Sequence, residues 1–98
     1  MILGPMRKLY RTATNPKGFS GLPDYEIRRT KIYRTASHPD GPSSVAQYDV
    51  LAGKFVRTLA HPAGSPGLAE YVMRGNQIYR TANHPLGQSA LPDYEIRT

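Results

Sequence analysis

Polar and apolar residues alternate along short stretches of this chain, and Pro, Gly, Asn and Ser separate the stretches. Two kinds recur. One is like Lys31-Ile32-Tyr33-Arg34-Thr35-Ala36, rich in β-branched and aromatic residues. The other is like Asp24-Tyr25-Glu26-Ile27-Arg28, with strict alternation of charge and bulk. A period of two over five or six residues predicts half-buried strands, and Pro or Gly every few residues leaves no room for helices.

The strands repeat as pairs. From Arg7 the sequence divides into four units of 23 residues, 7–29, 30–52, 53–75 and 76–98, after a leader of residues 1–6. Five positions are identical in all four units: Arg11, Arg34, Arg57 and Arg80; Thr12, Thr35, Thr58 and Thr81; Pro16, Pro39, Pro62 and Pro85; Gly18, Gly41, Gly64 and Gly87; and Tyr25, Tyr48, Tyr71 and Tyr94. A repeat of this size is one supersecondary unit, here a β-hairpin, that needs its neighbours to bury its apolar face. Within each unit a loop of about nine residues opens on a turn such as His38-Pro39-Asp40-Gly41, with Pro at the second position and Gly at the fourth. Between units the junctions are short. Gly75-Asn76 and Ala52-Gly53 suit two-residue hairpin turns, whereas neither Arg29 nor Thr30 takes positive φ easily.

Counting outward from those junctions sets the register. Ile27 falls opposite Ile32, Val50 opposite Phe55 and Met73 opposite Ile78, while a slip of one residue would set Ile against charge. The resulting fold is all-β: four hairpin units in an eight-stranded antiparallel meander, closed or strongly curled, within a single domain. Arg11 and Tyr94 are left as natural partners across the closure, which would remove both sheet edges. Edges left open would instead pair between subunits in a homo-oligomer.

The same count places an Arg opposite a Tyr at every junction: Arg34 with Tyr25, Arg57 with Tyr48, Arg80 with Tyr71, and Arg11 with Tyr94 on closure. The strand-borne acids Asp24, Glu26, Asp49, Glu70, Asp93 and Glu95 all fall on the other face. Four guanidiniums on the core side without carboxylates need an anion or an aromatic face, because a buried unpaired charge is costly. These eight residues are therefore the candidate anion-binding set.

The second candidate set is the loop surface, with Asn15, His38, His61 and His84 at one equivalent position. Equivalent positions in successive units are about two strand spacings, or roughly 10 Å, apart, too far for histidines to share a metal ion. Turn-capping is their expected role, and no metal or other cofactor is predicted. No nucleophile elbow, phosphate-cradling Gly-rich motif or His-Glu-x-x-His is present, so the chain is not expected to be an enzyme.

Composition adds two bounds. Thirteen Lys and Arg against seven Asp and Glu give a net charge of +6, which favours anionic partners. The absence of Cys excludes disulfides and thiolate chemistry. No apolar run approaches the roughly 20 residues that cross a bilayer. The expectation is a cytoplasmic interaction or scaffold module that meets a protein partner through its repeated loops and has no membrane association. The alternative is a binder of nucleic acid or another polyanion through the Arg-Tyr array.

Overall fold

The computed structural model describes residues 7–64 and 67–97. The leader, Ser65 and Pro66 of the third loop, and Thr98 lie outside the described residues. Eight strands run in sequence order: β1 (Arg7–Arg11), β2 (Pro23–Arg28), β3 (Lys31–Arg34), β4 (Tyr48–Leu51), β5 (Lys54–Arg57), β6 (Ala69–Arg74), β7 (Gln77–Arg80) and β8 (Tyr94–Arg97). Each is antiparallel to its neighbour, and β8 returns to β1, so the meander closes into a barrel. Among the described residues no helix is long and apolar enough to cross a membrane.

The junction register is the one the alternation dictates. Ile27 faces Ile32, Val50 faces Phe55 and Met73 faces Ile78. Arg34, Arg57 and Arg80 face Tyr25, Tyr48 and Tyr71, and Arg11 faces Tyr94 where the ring closes. The tight turns force positive φ on their first residue. Arg29 takes φ 57° and Ala52 φ 51°, a conformation that costs a non-glycine residue about 1–2 kcal/mol. Each turn also holds the next unit, because Val50, Met73 and Ile96 donate backbone N–H to the carbonyls of Thr30, Gly53 and Asn76 at 2.7 Å.

The long loops gather at the opposite end. Their opening turns close through Gly18, Gly41, Gly64 and Gly87, which donate to Asn15, His38, His61 and His84 carbonyls at 2.8–2.9 Å. All four glycines sit at φ 81–84°, which explains why no other residue occupies that position. The repeated threonines clasp adjacent units. Thr12, Thr58 and Thr81 donate their hydroxyls to the carbonyls of Pro92, Ala46 and Ala69 at 2.5–2.6 Å, and Thr35 does the same to Pro23.

The core fills the barrel interior in layers. Leu9, Ile32, Phe55 and Ile78 are essentially inaccessible and pack with Ile27, Val50, Met73 and Ile96 toward the turn end. Above them the four tyrosines form a ring.

One expectation fails here. Asp24, Glu70 and Asp93 do not share the outer face with Glu26, Asp49 and Glu95; they are buried inside the barrel. The cause is a break in strict alternation. Leu9 faces Tyr25 but Tyr10 faces Pro23, so Asp24 is the extra residue of a β-bulge, and Glu70 is likewise extra between Ala69 and Tyr71. A bulge re-aims the inserted side chain. In β4 and β8 pairing begins only at the tyrosine, and the residues before them, Gln47 and Asp93, are buried too.

Candidate functional site

The loop end of the barrel has the densest chemistry. Tyr25, Tyr48, Tyr71 and Tyr94 meet edge to face around the axis, with successive ring centroids 6.0, 6.0, 5.9 and 5.7 Å apart. Edge-to-face contact sets the positive rim of one ring on the negative face of the next, and a closed cycle of four satisfies every ring.

Each tyrosine is roofed by the loop of the following unit. The Asp40, Ala63 and Leu86 amides donate to Nδ1 of His38, His61 and His84 at 3.0 Å, which leaves the ring proton on Nε2. Nε2 then donates to the hydroxyls of Tyr25, Tyr48 and Tyr71 at 3.1, 3.2 and 3.0 Å. Asn15 completes the ring. Its Oδ1 accepts from the Lys17 amide at 2.9 Å, as Nδ1 does elsewhere, and its Nδ2 donates to the Asp93 carbonyl, next to Tyr94, at 2.9 Å. The turn-capping role is thus observed, but the surface role of this set is not. Asn15 and His38 are buried and His61 and His84 half-buried, because each must reach inward to a phenol.

The arginines lie beside the tyrosines as predicted, yet most have carboxylates. Arg11 Nε lies 3.3 Å from Asp24, Arg80 Nε lies 3.3 Å from Asp93, and Arg57 pairs with Glu70. Glu70 uses both oxygens: Oε2 meets Arg57 and Oε1 accepts the Tyr48 hydroxyl proton at 3.0 Å. An anion-binding array of four free guanidiniums is therefore not what the chain builds. The bulge that brings the acids inside was not visible to a register counted as uninterrupted.

A stacking of Arg on Tyr does occur, but outside the barrel and with other residues. The guanidiniums of Arg28, Arg74 and Arg97 lie 4.6, 5.2 and 4.8 Å from the ring centroids of Tyr33, Tyr79 and Tyr10.

No family model, curated protein or solved structure matches this chain. Among the described residues no group of three or more His, Asp or Glu side chains could hold a metal ion. A cavity of about 230 Å³ opens between the loops at the mouth, floored by Tyr25, Tyr71 and Tyr94.

Burial controls the titration of this end. It holds the imidazoles of His38, His61 and His84 below their ordinary pKa, His38 at about 4, assisted by Arg34 at His38 and by Arg57 and Arg80 at the others and opposed by Asp40 and Glu70. Burial also pushes the Asp24 and Asp93 carboxyls up, against the pull of Arg11 and Arg80.

The unfolded chain takes up protons near pH 6.5 while the folded one does not, so stability is lost as pH falls from about 6.5 toward 4. His38 alone contributes on the order of 3 kcal/mol across that window. The two aspartates act in the opposite sense, in the acid range above their ordinary pKa. The melting temperature is expected to drop between pH 7.5 and 5.5, and His38→Asn, copying Asn15, should flatten the drop. A wild-type melting temperature constant over that range would mean the imidazoles are solvated.

Proposed function

We propose that this protein is a non-enzymatic interaction module that engages a protein partner with the loop end of its barrel. The supporting observation is a repeated one. The sixteenth position of each unit is Leu22, Val45, Leu68 or Leu91, aliphatic in all four and 63, 53, 55 and 57 % exposed. Phe19, Leu59 and Leu86 add further exposed apolar surface at the same end. Of the 13 cations and 7 anions, only Lys17 and Asp40 fall within 12–22, 35–45, 58–68 and 81–91. A surface depleted of charge and enriched in large apolar side chains has the composition of an interface core. Fourfold repetition would let weak contacts act together.

The test is a photo-crosslinking amino acid placed at Leu68 in one variant and at Arg29, in a turn at the far end, in another. Discrete cross-linked products are expected at Leu68 and not at Arg29, and a product of twice the chain's mass would identify the partner as a second copy. Equal labelling at both ends would remove the reading.

Polyanion binding is the second reading, supported by the outer-face stacking of Arg28, Arg74 and Arg97 on the half-buried rings of Tyr33, Tyr79 and Tyr10, of which Arg74 is the one whose guanidinium has no carboxylate beside it among the described residues. It requires an affinity for single-stranded nucleic acid that falls steeply with salt.

A further inference from the structure

Every unit brings the same three positions to a corner of the barrel mouth: an Arg at its fifth position, the Tyr that faces it across the junction, and a buried side chain at its eighteenth position. In three units that side chain is an acid, giving Arg11 with Asp24, Arg57 with Glu70 and Arg80 with Asp93. In the second unit it is Gln47. The amide of Gln47 is turned to its own loop, where Nε2 donates to Ser43 Oγ at 3.1 Å and to the Val45 carbonyl at 3.3 Å.

Two donors are left without an acceptor. Arg34 has no carboxylate within ion-pair distance among the described residues; its Nε is buried without a hydrogen-bond partner, as are those of Arg11 and Arg80, but those two have Asp24 and Asp93 beside them. Tyr25, directly across the junction, receives a hydrogen bond from His38 and so has its own hydroxyl proton to give. In the next corner the equivalent proton goes to Glu70 Oε1. Tyr25 is also the one tyrosine of the ring that is only partly buried, and the mouth cavity reaches both it and His38. Four guanidiniums against three carboxylates leave one positive charge inside the mouth, where an uncompensated charge is costly.

We infer that the corner formed by Arg34 and Tyr25 binds one carboxylate group, borne by a small organic acid or by an acidic side chain of a protein docked on the loop end. The protein supplies its own template. Glu70 spans Arg57 and Tyr48 with one oxygen on each, and a carboxylate entering from the mouth beside Tyr25 and Arg34 makes the same two contacts and cancels the remaining charge. The site stands whether or not the loop end docks a protein.

The experiment follows the Nε–Hε signals of the arginines in ¹⁵N-labelled protein during titration with sodium acetate, and with the amide of N-acetylglutamate as a side-chain mimic, each against sodium chloride at matched ionic strength. A saturable shift is expected at Arg34 and not at Arg11 or Arg80. Tighter binding of acetate assigns the site to a free acid; tighter binding of the mimic assigns it to a partner's side chain. Gln47→Glu, which fills the corner from within, should weaken the response at least tenfold and raise the melting temperature. Arg34→Gln should leave the His38 ring signals unmoved by acetate. No saturable shift with either probe, or a Gln47→Glu variant that responds like the wild type, overturns the assignment.

Discussion

Above pH 10 the barrel is expected to unfold in one steep transition. Burial, reinforced by neighbouring phenols and carboxylates, pushes the hydroxyls of Tyr25, Tyr48, Tyr71 and Tyr94 well above the ordinary tyrosine range. In the unfolded chain the same groups ionise near pH 10. The folded state therefore keeps protons that the unfolded state releases, and stability falls as pH rises. Each group contributes about 1.4 kcal/mol per pH unit, so the ring as a whole removes roughly 5–6 kcal/mol per unit. A domain of this size has about 5–15 kcal/mol in total, which about one to three pH units remove. Phenolate absorbance and circular dichroism should change together for these four residues. Tyr71→Phe, which removes one ionisable proton, should lower the slope by about a quarter. Ionisation of all seven tyrosines in a barrel that stays folded would show that the ring is open to water.

The second large effect is expected from Glu70→Ala. Glu70 is 5 % exposed, accepts the Tyr48 hydroxyl proton and pairs with Arg57. Removing it strips the acceptor from one buried group and the carboxylate from beside another, a loss of about 3–5 kcal/mol when a buried pair is broken from one side. Gln47→Ala, at the equivalent position of the second unit, removes only neutral hydrogen bonds within one loop and should cost about 1–2 kcal/mol. Chemical denaturation of both variants decides the matter. Equal losses would mean that Glu70 acts by packing and not by its charge.

Most of the architecture was legible in the residues. Twenty-three-residue periodicity located every strand pair, and the pairing of Ile27 with Ile32 or Val50 with Phe55 was fixed by which face each residue could occupy. Even the partnership of Arg11 and Tyr94 followed from having no other partner. The site was legible only in part. Alternation assigns Asp24 to the outside because it assumes one residue per rung. Asp24 and Glu70 are instead the second residue on a rung, and no feature of Pro-Asp-Tyr or Ala-Glu-Tyr announces the insertion. The histidines were recognised as turn caps from Pro and Gly at fixed offsets. Their inward reach to the phenols was missed, since it depends on how far each loop folds back over the neighbouring hairpin. Arg29 shows the opposite case: an unsuitable residue takes the turn conformation because two well-packed strands on either side determine it.

The pairing of β1 with β8 has a further consequence for the repeats. An open solenoid can lose or gain a copy and still be a solenoid, but this ring needs its last hairpin to meet its first in register. Copy number is consequently locked. The pairing of Lys8 with Arg97 is then equivalent to those of Arg28 with Lys31, Leu51 with Lys54 and Arg74 with Gln77, and no junction of the ring is special. A circular permutant that links Arg97 to Lys8 by a two-residue turn and opens the chain between Ala52 and Gly53 would keep every rung of the sheet.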